Sequence, residues 1–321
     1  MVRPFSERVA DAEWRREAET WIGGQLDRHG DTMTGPIEQP RVRPWSTQLT
    51  VPTTAGSLWF KANCAALAFE PRLHDELAAL APGSVDVPYA TQPDRGWLLT
   101  RDRGSTLGDS HEPTIEDWRR VLGEAATLQR ITATEADRLL ATGMPDCSPP
   151  TVVDRFDRLV EVLAALPEHD PSHLDADLAA RLRARRPAVV DAAQELEASS
   201  LPTTWQHGDL HPWNVFAVGR GSLRVFDFGD AQWAHATELL SVPYGWIAQR
   251  TVLPWGEVLE AYCDVWGVTP ADLEPQWVAS GLTQPVNRAM TWWGCLAEAS
   301  AAELAEWGEA PLHHLSRVLD G

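Results

Sequence analysis

Apolar and polar positions divide the chain into a strand-rich part near its start and a longer helical part. Short apolar runs at residues 48–51 and 57–62 flank a turn-forming segment, a pattern that predicts a β-hairpin. Residues 69–80 then place apolar side chains at intervals of three and four, which predicts an amphipathic helix. A further strand is predicted at residues 96–100, before a short polar connection.

Helical periodicity dominates the rest of the chain. An apolar face between residues 6 and 28 predicts an N-terminal helix, which the glycine and proline residues at positions 30 to 36 end. Pro187 is expected to kink or divide the third of the later helices. These later helices are predicted over residues 114–140, 151–166, 175–198, 238–250, 257–266 and 276–307.

Composition narrows the class of protein. With 321 residues, 44% of them hydrophobic, and 16 tryptophans, the chain can bury a core large enough for two lobes or two domains. Its formal net charge of −19 excludes nucleic acid and anionic membranes as expected partners, because an acidic surface repels phosphate. A cationic substrate would instead be attracted, although simple solubility explains the charge equally well.

Cysteine usage and the lack of long apolar runs indicate the compartment. The four cysteines are widely separated, with no CxxC spacing, as in a reduced protein without a zinc site. The N-terminal residues include no apolar segment of signal length, and no later run is long enough to span a bilayer. We therefore expect a cytoplasmic protein without a membrane partner, either a monomer or a homodimer.

Lys61 is distinctive because it is the only lysine among 27 basic residues. It lies at the end of the predicted hairpin, just before the predicted helix that begins near Glu70. Lysine is a compact point charge on a flexible stem, whereas arginine is a broad planar fork. The exclusive use of lysine here suggests a site that needs an ammonium group, although one lysine could also survive by chance.

The stretch Trp205 to Ala231, WQHGDLHPWNVFAVGRGSLRVFDFGDA, contains the strongest candidate chemistry. Its apolar runs 215–218 and 223–226 predict a second hairpin, joined by the turn-forming residues 219–222. Such a hairpin places Asn214, at its entry, beside Asp227, at its exit. An amide oxygen and a carboxylate are hard ligands that suit Mg²⁺, which fills its remaining positions with water and phosphate oxygens.

HGDLHPWN followed by DFG resembles the catalytic loop and metal-binding turn of the protein-kinase-like fold, in the aminoglycoside phosphotransferase and choline kinase branch. The resemblance implies an α+β, two-lobed fold with a small antiparallel-sheet N-lobe and a mainly helical C-lobe. Residues 1–36 would form a helix packed on the lobes, residues 37–100 the nucleotide-binding N-lobe, and residues 101–321 the C-lobe with the catalytic loop and the acceptor site.

The same resemblance implies roles for individual residues. Asp209 would be the catalytic base, and Asn214 and Asp227 would bind Mg²⁺. Lys61 would anchor the α- and β-phosphates of ATP or another NTP, with Glu70 behind it and Glu76 as the alternative partner.

Four further residues are assigned to the nucleotide. His211 would lie near the γ-phosphate, Ser46 would stand in place of the absent glycine-rich loop, and the backbone at Thr100 and Asp102 would pair with adenine. His207 would brace the catalytic loop without taking part in the chemistry.

Two departures from the protein-kinase pattern point to a small-molecule substrate. Gly208 stands where protein kinases usually have an arginine that answers a phosphorylated loop, and no APE sequence follows DFG. We therefore predict phosphoryl transfer to a hydroxyl of a cationic small molecule, such as an aminoglycoside-like antibiotic or an amino sugar. A choline- or homoserine-type alcohol kinase and a nucleotide-binding pseudokinase without catalysis remain alternatives. Acceptor-site candidates are Trp292, Trp293, Glu298 and Glu303, with at least one of the two tryptophans expected in the helical core instead. Asp230 would face the metal, the acceptor or neither.

Overall fold

The computed structural model describes residues 3–218 and 222–320, so the turn predicted at residues 219–222 lies mostly outside the described residues. A small lobe is built on a five-stranded antiparallel sheet, counted over this described part, in the order β1-β2-β3-β5-β4. Its strands are β1 (Glu38–Val42), β2 (Ser46–Thr53), β3 (Gly56–Asn63), β4 (Ala90–Gln92) and β5 (Trp97–Arg101).

The predicted N-terminal helix over residues 6–28 is wrong as a single element, because the structure has two helices there. These are α1 (Phe5–Val9) and α2 (Ala12–His29). The break follows from Asp11, whose carboxylate accepts a 2.7 Å hydrogen bond from the Glu13 N–H and so starts a new helix. The apolar face of α2 packs against the sheet, where Trp14 and Trp21 make edge contacts with Phe60.

The helix predicted over residues 69–80 is confirmed as α3 (Glu70–Leu80). It follows β3 through a short 3₁₀ turn, Ala65–Leu67, and buries Leu73 and Leu77 in an apolar cluster shared with the mainly helical lobe. This short connection brings the first turn of α3 close to the end of β3. Glu70 therefore faces the strand that carries Lys61.

The remaining elements form the mainly helical lobe. Its helices are α4 (Leu107–Ser110), α5 (Ile115–Thr132), α6 (Ala136–Leu140), α7 (Pro149–Ala164), α8 (Ala176–Glu197), α9 (Ser241–Arg250), α10 (Trp255–Trp266), α11 (Pro270–Cys295), α12 (Ala301–Trp307) and α13 (Ala310–Ser316). Its strands are β6 (Thr203–Gln206), β7 (Val215–Val218), β8 (Ser222–Val225) and β9 (Gln232–His235), with β6 paired to β9 and β7 to β8.

Three of the predicted helices differ in the structure. The segment 114–140 forms α5 and α6, with a turn between them. The segment 276–307 begins earlier, at a capping box made by Thr269 and Asp272, and is interrupted before α12, where Ser300 caps a new helix. Pro187 lies inside a continuous α8, because buried side chains on both sides of it pack this helix into the lobe.

Two apolar clusters hold the large lobe together. One packs α5 against α10 and strands β6 to β9, and the other packs α7, α8 and α11 together. Helix α11 lies at the junction, since it also contacts the 3₁₀ turn before α3 in the small lobe. Over residues 3–218 and 222–320, none of the helices combines the length and apolar character needed to cross a membrane.

Candidate active site

His207 holds the loop that connects β6 to β7 in place. The Nε2 of His207 donates to the Phe226 carbonyl at 2.9 Å, and its Nδ1 accepts from the Asp209 N–H at 3.3 Å. Complete burial lowers the pKa of His207, so the ring is neutral at physiological pH and can do both. His207 thus joins the catalytic loop to the end of β8, as expected for a bracing residue.

Gly208 is required by close backbone packing. Its φ is 79°, and a Cβ at this position would lie 2.0 Å from the Asp230 carbonyl oxygen. A side chain is therefore excluded both by the backbone conformation and by the neighbouring loop. The glycine in place of the protein-kinase arginine lets the catalytic loop and the segment after DFG touch.

The Asp209 carboxylate lies between the His211 ring and the Arg288 guanidinium. Its Oδ2 is 3.4 Å from His211 Nε2, and its Oδ1 is 3.8 Å from Arg288 Nη2. Burial of this carboxyl acts to raise its pKa, but the hydrogen bond from His211 and the charge of Arg288 lower the pKa well below its usual range. Asp209 is therefore ionised at neutral pH and able to accept a proton.

The ends of the second hairpin meet as predicted. The Phe226 N–H donates to the Asn214 carbonyl at 3.1 Å, which sets Asn214 beside Asp227. The Asn214 Nδ2 donates to the Asp209 carbonyl at 2.8 Å, so its Oδ1 points away from that loop. Among the described residues, Asp227 is the non-glycine residue with a positive φ, 65°, a conformation that costs energy and recurs at functional sites.

Lys61 forms the centre of a buried ion-pair cluster. Its Nζ lies 2.7 Å from Glu70 Oε2 and 2.6 Å from Asp227 Oδ1. Burial acts to lower the pKa of Lys61, but the two carboxylates outweigh it and raise the pKa above its usual value. Glu70, fully buried, also accepts from Asn63 Nδ2 at 2.7 Å and from the Phe228 N–H at 3.0 Å.

This cluster forms one end of a cavity of about 640 Å³ between the two lobes. Thr100 and Asp102, at the connection between the lobes, line the cavity together with Lys61, Glu70 and Asp227. Such a volume is within the range of small-molecule and cofactor sites. Asp209, His211 and Asn214 form a separate group, joined to the cavity through the hairpin that carries Asp227.

A model of the phosphotransferase enzyme family matches residues 61–275. The chain belongs to this family. Among solved structures, it resembles a type I macrolide 2'-phosphotransferase with a TM-score of 0.59 and 15% identity, over 91% of this chain and 96% of that one. It also resembles a choline kinase from Streptococcus pneumoniae, with a TM-score of 0.58 and 13% identity, over 94% and 99% of the two chains.

A third similar structure is a spectinomycin phosphotransferase in complex with ADP and spectinomycin, with a TM-score of 0.54 and 11% identity, over 94% and 93% of the chains. No match was found among curated protein sequences. The likeness to solved structures confirms the two-lobed, kinase-like α+β fold.

Three residues that the sequence predicted for the nucleotide site do not line the cavity as the described residues define it, and one of them, His211, belongs to the group around Asp209. Ser46 is 2% exposed at the start of β2 and is not among the described residues that line the cavity. Glu76, the alternative to Glu70, forms an ion pair with Arg138 on α6. At the connection between the lobes, the Asp102 N–H already donates to the Ser57 carbonyl at 2.9 Å, so this N–H is engaged within the small lobe and not with adenine.

The cavity lining also includes residues that no sequence motif marks. Arg41, from β1, and Gln48, from β2, line the cavity on the side of the small lobe. Phe216, on β7, and Phe226, directly after β8, also line the cavity, and their rings stack with centroids 4.3 Å apart. An alternating strand pattern predicts one exposed face, but it does not tell which side chains face a neighbouring lobe.

The acceptor-site candidates in the sequence have other contacts. Glu298 forms an ion pair with Arg8 at 2.8 Å, and Glu303 takes part in the capping box of α12. Trp292 packs against Trp45 and Trp307, with ring centroids 5.3 and 6.1 Å apart. These carboxylates have partners within the protein. Trp292 joins the turn between β1 and β2 to α12, and Trp293 packs against the apolar cluster of α7, α8 and α11.

The donor set near Asp227 fits a phosphate-assisted magnesium site better than a closed metal centre. Over the described residues, no three His, Cys, Asp or Glu side chains are arranged to hold a metal by themselves. The Asn214 amide oxygen and the Asp227 carboxylate are the two hard oxygen donors at the hairpin ends, and Mg²⁺ commonly binds one or two protein ligands with the rest from phosphates and water.

Proposed function

We propose that this protein catalyses transfer of the γ-phosphate of ATP to a hydroxyl group of a small molecule. The observation that carries this proposal is the linked arrangement of Lys61, Glu70 and Asp227 at one end of the cavity, with Asp209 held ionised in the adjoining loop. Each residue in this arrangement has the charge that phosphoryl transfer needs at its position. The proposal includes a cytoplasmic location, where ATP is available.

Binding of the nucleotide would use the ion-pair cluster. Lys61 would contact the α- and β-phosphates while Glu70 keeps its Nζ in place, since Glu70 is fixed by three donors. Mg²⁺, held by Asn214 Oδ1 and Asp227, would neutralise charge on the β- and γ-phosphates. The purine would lie towards Thr100 and Asp102. Another NTP could bind in the same way, because the phosphate and Mg²⁺ contacts do not depend on the base.

Transfer would depend on Asp209 as the general base. The acceptor oxygen forms a bond to the γ-phosphorus while the bond to the β–γ bridging oxygen breaks, which leaves ADP. The hydroxyl proton passes to the Asp209 carboxylate, whose lowered pKa keeps it unprotonated beforehand. His211, 3.4 Å from this carboxylate, would donate a hydrogen bond to it or to the transferred phosphoryl group.

For the acceptor, we propose a cationic small molecule, because the net charge of −19 attracts cations. An aminoglycoside-like antibiotic or an amino sugar fits this charge, and a choline- or homoserine-type alcohol is the second candidate. The similar structures act on macrolides, choline and spectinomycin, so they support a small-molecule acceptor without selecting among these classes. Resistance to an antibiotic would be one consequence.

A panel of acceptors tests the proposal directly. Choline, homoserine, spectinomycin, a macrolide, an aminoglycoside and glucosamine are incubated with the protein, Mg²⁺ and ATP, and mass spectrometry detects a phosphate gain. The Asp209→Asn variant is the matched control. We expect it to lose about 10²–10⁴-fold in kcat, the usual contribution of a general base, while ATP affinity stays near that of the wild type.

The same panel separates the kinase from a pseudokinase. If ATP binds in a Mg²⁺-dependent manner but no acceptor gains phosphate and no ADP is formed, the pseudokinase is correct. An Asp209→Asn variant that keeps more than about a tenth of the wild-type kcat would contradict the role of Asp209.

A further inference from the structure

Arg288 reaches the catalytic loop from α11, far along the chain. Its side chain is 11% exposed, and its Nη1 donates to Asp230 Oδ1 at 2.6 Å, while its Nη2 lies 3.8 Å from Asp209 Oδ1. Arg288 therefore makes a charge-assisted hydrogen bond to Asp230 and a longer ion pair with Asp209, one from each arm of its guanidinium.

The two carboxylates belong to loops that touch. Gly208 packs against the Asp230 backbone so closely that no Cβ fits between them. Two aspartates of the same charge at such a contact would repel each other, and Arg288 offsets this repulsion. The guanidinium also lies 5.7 Å from the centre of the Trp292 ring, one turn further along α11.

The contacts divide the two oxygens of the Asp209 carboxylate. Oδ1 faces Arg288, and Oδ2 faces His211 on the other side. The His211 contact, at 3.4 Å, is the shorter of the two and comes from the same loop, whereas Arg288, at 3.8 Å, is brought to the carboxylate by a distant helix. The orientation of the base would therefore depend on α11.

We propose that Arg288 is a positioning residue for phosphoryl transfer, which sets the orientation of the Asp209 carboxylate and keeps Asp230 against the catalytic loop. This inference rests on the proposed kinase function. A lysine could reach one of the two carboxylates, but only the arginine fork can engage both at once. Loss of Arg288 should slow the transfer step and leave nucleotide binding nearly intact, because Arg288 does not line the nucleotide cavity as the described residues define it.

The test compares Arg288→Ala, Arg288→Lys and the wild type on whichever panel acceptor the wild type phosphorylates. We expect Arg288→Ala to lower kcat by about 10- to 100-fold, the scale of effect seen when reacting groups are misplaced by about 1 Å, with the KM for Mg-ATP within about threefold of the wild type. Arg288→Lys should recover part of the loss. Free guanidinium chloride at low millimolar concentration should also restore part of the activity of Arg288→Ala.

Arg8→Ala provides the matched control. Arg8 pairs with Glu298, just after the C-terminal end of α11, so this variant also removes an arginine–carboxylate contact near that helix. We expect its kcat to equal that of the wild type. Thermal unfolding of each variant reports on folding, and if Arg288→Ala does not fold, Arg288→Lys is measured in its place.

Three results would overturn the inference. The first is an unchanged kcat in Arg288→Ala, or a wild-type kcat in Arg288→Lys. The second is a loss of Mg-ATP affinity and stability without guanidinium rescue, which would mean that Arg288 is only structural. The third, a wild type that phosphorylates no acceptor in the panel, refutes the proposed function itself and is recognised before any variant is compared.

Discussion

Substitution of Glu238 by glutamine should make the protein less sensitive to alkaline pH. Glu238 is 1% exposed, just before α9, and its two carboxyl oxygens accept from Thr283 Oγ1 at 2.7 Å and from Asn287 Nδ2 at 2.9 Å. Burial raises the pKa of Glu238 to about 7, although both hydrogen bonds oppose the shift. A glutamine amide can accept from Asn287 and donate to the Thr283 hydroxyl, as the protonated acid would.

The sign and size of the effect follow from proton linkage. The folded pKa is about 7 and the ordinary value is 4.5, so the stability that Glu238 contributes is fully present below pH 4.5 and is lost as the pH rises to 7. One pKa unit corresponds to about 1.4 kcal/mol, which puts the loss between pH 5 and pH 8 at roughly 2 to 3 kcal/mol. Glutamine has no charge to acquire, and Glu238→Gln should avoid this loss.

Urea unfolding at pH 5 and at pH 8 measures the free energy of unfolding of both proteins. The difference between Glu238→Gln and the wild type should grow in favour of the variant by roughly 2 to 3 kcal/mol from pH 5 to pH 8. Glu195→Gln, on the exposed face of α8, is the matched control and should show no pH-dependent difference. Equal pH dependence in Glu238→Gln and the wild type would refute the assignment of a protonated, buried acid.

The remaining predictions concern the catalytic loop and the phosphate site. Asp227→Ala should weaken Mg-ATP binding by roughly tenfold or more and Asn214→Ala by less, because a carboxylate is the stronger ligand for a hard cation. Calorimetric titration of ATP with and without Mg²⁺ measures this. Equal ATP affinity of Asp227→Ala and the wild type in the presence of Mg²⁺ would contradict the metal assignment. Lys61→Arg should retain little kcat although it keeps the charge, because Nζ lies within 2.7 Å of two carboxylates and the wider guanidinium does not fit there. A kcat equal to that of the wild type would mean that Lys61 does not contact the phosphates. Gly208→Ala should lower the melting temperature far more than Gly30→Ala. Both glycines have a positive φ, which costs alanine about 1–2 kcal/mol, but of the two only Gly208 has backbone atoms where the added Cβ would lie. Similar melting temperatures for these two variants would mean that the loop at Asp230 moves away freely.

The sequence predicted those parts of the site that are local in the chain. Asn214 and Asp227 are joined by one hairpin, and Lys61 and Glu70 by one short turn, so the spacing of residues fixes their proximity once strands and helices are recognised. The long predicted helices failed where one polar side chain starts a new helix. Asp11 and Ser300 do so, and periodicity across these positions continues without a visible break.

Arg288 could not be predicted in this way. It lies within a helix, between Asn287 and Ala289, and no local motif marks it. Its position depends on how α11 crosses the lobe, which the packing of α7, α8 and the segment before α9 determines. The partners of Glu298 and Glu303 could not be predicted for the same reason, because they come from α1 and from the break before α12, and a role of these residues at the acceptor stays a prediction.

The position of Arg288 is in turn fixed by the residue before it. Asn287 donates to the buried Glu238 at 2.9 Å, while Arg288 donates to Asp230 at 2.6 Å, so two successive residues of α11 attach it to two different segments that follow DFG. Successive side chains on a helix point about 100° apart, and both contacts can be satisfied only in one rotation of α11 about its axis. The register of this helix is therefore specified by buried polar groups, which have few alternative partners, and the guanidinium is delivered to Asp209 as a consequence.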